Sequence, residues 1–398
     1  MKILHVIAQK PDDTGSGIYV KNMMSWAAQR GHTQALVAAF NQGDCVPFFL
    51  MDTFLVEFDT EDLPFYMPGM SDEMPYPSTP YGQLAQEELA MWEEAFEHQL
   101  LKAKQDFRPD VVLAHHLWLL TAKVRDVFWD LPVMAICHGS DLRQVQKNQH
   151  LNPKVLPACH RLDAIFALNQ YQKEEIAKQY GCQQERVIIT GIGYDDELFY
   201  PGYGEKYKQT HRDIIYAGKM ARAKGVESLL RITGRLCRTK DISLSLVGSG
   251  TNKHWEELAP DNATFYGQQP QEELARMFRA HHLFVLPSFY EGLPLVCLEA
   301  FGSGLPVVMS DIPGVKEWLG PEIVHSGYIR FVTLPSMLDV DFPHPHELSL
   351  FEDRFQEAME RMLAIVPDTE HMQALARKRS WSRVFESIEG TLHFHSSS

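Results

Sequence analysis

The densest concentration of chemistry-bearing residues is the run Pro287-Ser288-Phe289-Tyr290-Glu291-Gly292-Leu293-Pro294-Leu295-Val296-Cys297-Leu298-Glu299-Ala300. It follows an apolar, strand-like segment, and its pattern predicts a helix starting near Leu293. Gly292 lets a ligand approach the backbone closely, and Pro294 gives up an N–H that a first helical turn leaves unpaired in any case. The free amides there make an anion site. Glu299 stands among Leu295, Val296, Leu298, Ala300 and Phe301. A carboxylate buried there without partners is costly, whereas a pair of ligand hydroxyls satisfies it. The alternative for Glu299 is an internal salt bridge or an exposed helix face, and for Glu291 a charge on the helix dipole. Lys219 and Lys224, in Gly218-Lys219-Met220 and Lys224-Gly225, can neutralise an anionic ligand, and His138 follows the apolar run 132–136.

These residues need a scaffold that brings loops to one edge. Residues 2–8 form an apolar strand, Pro11 to Gly17 a loop with Gly15-Ser16-Gly17, Ile18 to about Arg30 a helix stopped by Gly31, and Thr33 to Ala39 the next strand. That is a βαβ unit. The pattern returns with a strand at 213–217, a loop from Gly218 to Gly225, a helix over 226–238 and a strand at 242–247. Further strands are expected at 110–114, 132–136, 164–168 and 186–190, then at 263–266, 283–286 and 305–309. Helices are expected near 83–107 and 170–180. Alternation of this kind argues for an α/β fold of two Rossmann-like domains with parallel sheets. His138 would then lie at the carboxyl end of a strand, where such sheets bind ligands; the alternative is a structural histidine bonded to a backbone carbonyl. His115, His116 and Trp118 end the 110–114 strand in the same way. Trp118 either stacks on a ligand or, the favoured reading, belongs to the core.

Gly202 to Gln209 is polar and contains glycine, the best linker candidate. The expected division is 1–205, 206–380 and a C-terminal helix, 381–398, returning to the first domain. Residues 42–82 hold six prolines and eight Phe or Tyr, so no regular helix runs through them. They read as an ordered aromatic loop insertion, either a packed cover or part of a substrate wall.

The chain of 398 residues carries 37 Lys and Arg against 52 Asp and Glu, a net charge of −15. Residues 41–110 alone hold 3 basic and 15 acidic residues. Such a balance disfavours nucleic acid as a main partner and shows no strong basic membrane patch. Six scattered cysteines make no Cys-x-x-Cys pair, and no apolar run is long enough for a signal peptide or a membrane span. A reducing, cytoplasmic location is the expectation.

Glu291 and Glu299, with seven residues between them, resemble the E-x7-E motif of the retaining, GT-B-fold glycosyltransferases of family 4. The likeness runs along most of the chain, in the family's order. Gly15-Ser16-Gly17 resembles its first glycine loop and His138-Gly139-Ser140-Asp141 its His-Gly-x-Asp. Gly193-Tyr194-Asp195-Asp196-Glu197-Leu198-Phe199-Tyr200-Pro201 resembles the segment before its interdomain linker. Val247-Gly248-Ser249-Gly250 and Glu299-Ala300 through Gly304-Leu305-Pro306-Val307-Val308 resemble two further runs. Lys219 stands where the family has a diphosphate-binding arginine; it keeps the charge and loses the bidentate fork. Ile192 replaces the usual asparagine. Residues 328–350 follow no recognised pattern, and 42–82 resemble a subgroup feature.

The resemblance implies two Rossmann-like domains facing each other across a cleft, and transfer of a hexosyl group from a nucleotide sugar with retention. UDP-glucose or UDP-N-acetylglucosamine would be the donor, with GDP-mannose an alternative, and the acceptor is unidentified. Donor-side residues would be Gly15, Ser16, Gly17, Lys219, Gln268, Gly292, Leu293, Pro294, Leu295 and Glu299. Glu299 would hold the ribose, Gly267-Gln268 would meet the base through the main chain, and Glu291 would hold sugar hydroxyls. His138, Lys224 and Glu291 would be catalytic, and His116, Trp118 and Asp141 would lie on the acceptor side. No metal or other cofactor is expected, because lysines and helix-end amides neutralise the leaving diphosphate and no suitable loop holds an Asp-x-Asp cluster. Competing readings are a phosphorylase or epimerase on the same fold, or a sugar-nucleotide-binding protein without transferase activity.

Overall fold

The computed structural model describes residues 1–398 except 12–13, 45–50, 72–73, 203, 292, 340–341 and 397–398. The chain forms two compact units, one of residues 1–192 and 384–398, the other of residues 193–383. Each is built on one sheet whose strands are all parallel. In the first unit the spatial order is Asp52–Phe58, Thr33–Asn41, Lys2–Ile7, Val111–His115, Val133–Ile136, Ala164–Ala167, Val187–Ile189. In the second it is Ala263–Gly267, Ile242–Val247, Arg212–Ala217, Leu283–Leu286, Val307–Ser310, Ile329–Val332. Counted along the chain within each sheet, both orders begin 3-2-1-4-5-6. This is the Rossmann order, and its ligand crevice lies where the direction of winding reverses, between the first and fourth strands.

The near-continuous apolar strands follow from burial on both faces. In KILHVI, Leu4 and Val6 face one cluster with Trp92, Phe96 and Leu100 of the Gln86–Asp106 helix. Ile7 faces the opposite cluster, with Val20 and Met24 of the Gly15–Gln29 helix. That helix starts where Thr14 caps it, its hydroxyl accepting from the Gly17 N–H at 3.0 Å.

Three expectations need correction. The 42–82 segment is more than a loop: Asp52–Phe58 joins the sheet edge beside Thr33–Asn41, and Phe54, Val56, Phe58, Leu63, Phe65, Met67 and Met70 are buried in the first core. The Asn41 side chain ties the segment down, accepting from the Met67 N–H at 2.8 Å and donating to the Pro77 carbonyl at 2.9 Å. Its described part is therefore a packed cover, while 45–50 and 72–73 lie outside the described residues. The linker candidate 202–209 contains a 3₁₀ turn, Gly204–Lys208, docked on the second unit: Lys206 Nζ donates to the Arg279 and His281 carbonyls, and Tyr207 is buried. The boundary falls at 192/193 instead of 205/206, because Gly193 packs against Trp381 and Tyr194 bridges to Ser380 within the second unit. Residues 328–350 supply the sixth strand of the second sheet and a short ribbon, Met337–Asp339 with Phe342–Pro343.

The helix Trp381–Ser396 ends the described chain, and from Val384 onward it groups with the first unit. Among the described residues, no helix is long and apolar enough to cross a membrane.

Candidate active site

In the first unit, residues from two strand ends and one helix meet at the winding reversal. Gly15 opens the Gly15–Gln29 helix with its backbone exposed, while Ser16 is buried, its hydroxyl accepting from Gln9 Nε2 at 2.8 Å. One turn on, Tyr19 packs edge-on against His138, ring centroids 5.1 Å apart. The His138 ring lies parallel to that of His115 at 5.7 Å and 4.8 Å from that of His116. Asp141 is fully buried beneath them and organises the loops. Its Oδ1 accepts from His116 Nδ1 at 2.8 Å, and its Oδ2 from the Leu117 N–H at 2.8 Å and the His138 N–H at 3.1 Å. Burial alone would raise this carboxyl; the charge and hydrogen bond of His116, helped by the Leu117 amide, hold it well below the usual carboxylate range. His138 is pushed down to about 3, first by burial and then by His116, so its imidazole is neutral at physiological pH. Its Nε2 is buried and has no hydrogen-bond partner among the described residues.

This geometry reassigns part of the acceptor-side set. Trp118 is 1 % exposed and packs edge-on against Tyr81, so it is a core residue. Asp141, at 0 % exposure, is bonded to loop amides and His116. His116 is buried as well, held at a positive φ of 76° by the Asp141 bond, with Nε2 unpartnered. Tyr19 had no assigned role; its place two residues after Gly17, on the buried helix face, is the signal that marks it.

In the second unit three loops interlock at the equivalent edge. Gly225 (φ +68°) sits so close to the next loop that a Cβ there would stand 2.1 Å from the Pro287 carbonyl oxygen. A Cβ on Gly248 (φ +141°) would stand 1.9 Å from that of Gly218. The Phe289 N–H donates to the Ala223 carbonyl at 2.8 Å and the Met220 N–H to that of Ser249 at 2.7 Å. This framework sets Lys224 Nζ 2.7 Å from Glu291 Oε2 and 3.1 Å from the Tyr290 carbonyl oxygen. The Ser288 hydroxyl donates to Glu291 Oε1 at 2.9 Å, a positioning role that the sequence left unassigned. Lys219 is exposed, with its ammonium unpaired among the described residues.

The helix is Leu295–Gly302, with Pro294 as its N-cap residue, two residues later than expected; Leu293 precedes it and Gly292 lies outside the described residues. Glu299 is 7 % exposed, and its carboxylate has no hydrogen bond or ion pair among the described residues. Burial, then the charge of Asp195, raises its pKa to about 7. Gln268 is exposed just past the Ala263–Gly267 strand, whose final carbonyl accepts from the Gly248 N–H at 2.8 Å. The second-unit residues Lys219, Lys224, Gln268, Glu291, Leu293, Pro294, Leu295 and Glu299 thus all follow carboxyl ends of strands of one sheet.

Two family models match this chain: Glycosyltransferase Family 4 over residues 14–198 and Glycosyl transferases group 1 over residues 211–331. The glycogen synthase of Mycobacterium tuberculosis (strain CDC 1551 / Oshkosh) is 25 % identical over 256 residues, covering 58 % of this chain and 61 % of its own length. The D-inositol 3-phosphate glycosyltransferase of Corynebacterium aurimucosum is 24 % identical over 270 residues, covering 59 % and 64 %. The matches thus span about three fifths of these relatives. Among solved structures, the sucrose-phosphate synthase from Thermosynechococcus elongatus superposes with a TM-score of 0.65 at 18 % identity over all of both chains. Anabaena HepE in complex with UDP and glucose gives 0.63 at 15 %, covering 99 % of this chain and 100 % of its own. With one model on each of two Rossmann-like units, and solved neighbours aligned end to end, the chain belongs to the GT-B-fold glycosyltransferases of family 4.

Proposed function

We propose that this protein transfers a hexosyl group from a uridine diphosphate sugar to an acceptor, with retention at the anomeric carbon and without a metal at the diphosphate. The observation that carries the reading is Glu299: a buried carboxylate without a partner among the described residues, in the helix Leu295–Gly302 and in the same unit as the exposed Lys219. Two ribose hydroxyls give that carboxylate the hydrogen bonds it lacks. Lys219, Lys224 and the Leu295 turn supply positive potential for the diphosphate as it leaves. Glu291 keeps Lys224 in place, and each of its oxygens retains a lone pair for a sugar hydroxyl. His138, kept neutral by burial, can exchange a hydrogen bond with a ligand hydroxyl.

Among the described residues no pair of facing carboxylates suited to a double displacement is evident, which favours attack from the departing diphosphate's own face, that diphosphate taking the acceptor proton. UDP is the first nucleotide to try, being the one bound in the HepE complex. The test is release of UDP from UDP-glucose and UDP-N-acetylglucosamine, with and without a panel of hydroxyl acceptors. Acceptor-dependent release yielding an α-linked product supports the reading. Tight nucleotide binding without release would instead mark a binding protein.

A further inference from the structure

Apart from the strand-end sites, one side-chain group in the first unit has the composition and spacing of a cation site. Glu389 and His393 stand four residues apart on the Trp381–Ser396 helix, so they project from one face. His32 meets them from the turn before the Thr33–Asn41 strand. One ligand atom from each of the three lies within 4.8 Å of the others. His32 Nε2 and Glu389 Oε1 are 2.7 Å apart, and the two imidazole centroids are 5.8 Å apart. The His32 side chain is 5 % exposed, with its ring 6.0 Å from that of Phe385, and Glu389 is 15 % exposed. His393 faces solvent, which gives an ion a way in.

We propose that His32, Glu389 and His393 bind a divalent cation of the zinc class, leaving one coordination position to water. Ligand atoms about 2.0–2.2 Å from a tetrahedral zinc stand roughly 3.3 Å apart. That separation lies between the His32–Glu389 distance, 2.7 Å, and the 4.8 Å limit of the group, so small side-chain rotations close the site. Two imidazoles and one carboxylate select zinc, copper or nickel over magnesium and calcium, which prefer oxygen ligands. Arg30 approaches the other carboxylate oxygen, Oε2, at 3.9 Å and leaves Oε1 to the ion. The ion clamps the C-terminal helix to the turn beneath it. Its role is to stabilise the unit, separate from the diphosphate chemistry, and it stands whether or not the proposed transfer reaction does.

The test is titration of the full chain, stripped with a chelator and dialysed, with Zn²⁺ alone, and with Co²⁺ as a spectroscopic substitute. The expected result is one saturable equivalent, a higher melting temperature with Zn²⁺, and the visible bands of four-coordinate cobalt. His393→Ala should weaken Zn²⁺ binding by about 100-fold, the upper range seen even for outer-shell partners. Glu389→Gln should weaken it as well. The proposal is overturned by absence of saturable binding, or by binding that both variants leave intact. It is equally overturned if Glu389→Gln lowers the melting temperature while Zn²⁺ changes nothing, since the His32–Glu389 bond is then only a structural pin.

Discussion

In the first unit, the loops after the fourth and fifth strands enclose a carboxylate, Asp141, that is fully buried and meets His116 and two backbone amides. In the second, the loop after the fourth strand leads to a carboxylate, Glu299, nearly as buried and meeting nothing among the described residues, while Lys219 stands exposed and unpaired. The strand order is the same in both, so the backbone offers each unit the same edge. What differs is the state of the buried carboxylate at that edge. In the first unit the protein itself satisfies Asp141, which pins the His116 ring and the loop that carries a neutral His138. In the second, Glu299 lacks hydrogen-bond donors among the described residues, a demand that the proposed function assigns to a ligand. On that reading the same fold serves as a support in one unit and as a receptor in the other.

The sharpest way to break this contrast is to mutate the two carboxylates. Asp141→Ala strands His116 and two buried N–H groups and should cost about 3–5 kcal/mol of unfolding free energy, as for a buried pair that loses one member. Glu299→Gln, by contrast, should leave the ligand-free protein as stable or more stable at pH 7.5. Chemical denaturation of both variants decides; equal destabilisation would erase the distinction.

Lys224→Ala tests the receptor side in turnover. A charge that matters most as the diphosphate departs should lower kcat by about 10²–10³, the range for loss of one preorganised stabilising group. Donor affinity should change far less. A raised donor KM with intact kcat would make Lys224 a binding residue. Glu299→Ala should weaken nucleotide binding by roughly 1–3 kcal/mol in calorimetry, the value of hydrogen bonds to a charged group.

Glu299 also predicts a pH dependence of defined sign. Its pKa rises from the ordinary 4.5 to about 7 on folding, so the folded protein holds a proton that the unfolded chain releases. Stability of the ligand-free protein should therefore fall as pH rises through that window. On the proposed function, ribose hydroxyls donate to the ionised form, so UDP affinity should rise over the same window, less than tenfold per pH unit. Glu299→Gln should remove this component from both profiles, which separates it from titration of the phosphates. The smallest expected effect is that of EDTA: with lysines supplying the charge, turnover measured well below the melting temperature should not change. Loss restored by Mn²⁺ or Mg²⁺ would show that the site needs a metal at the diphosphate.

Much of this was legible in the sequence because its signals are local. The apolar runs at 2–8, 110–114 and 283–286 mark strands buried on both faces, and Gly31 (φ +78°) ends its helix at the expected place. Glu299 stood out for the same reason, a charge within an apolar stretch. The Asp52–Phe58 strand escaped notice although Phe54, Val56 and Phe58 alternate inward, because prolines on either side obscured the short period. The support that Asp141 gives His116 was hidden for a different reason: the two are 25 residues apart, and only the pairing of Val111–His115 with Val133–Ile136 brings their loops together.

By itself, then, the sequence determined the strand–helix alternation, the two repeats of it and the ends of strands where chemistry sits, since periodicity, glycine conformation and capping act over a few residues. Only the tertiary structure decided which polar groups at those ends are spent on one another. Trp118 became core against Tyr81, Asp141 became a support, Lys224 acquired Glu291, and Glu299 was left without a partner among the described residues. Those outcomes depend on the close approach of loops far apart in the chain, and burial and hydrogen bonding are properties of that packing rather than of any segment.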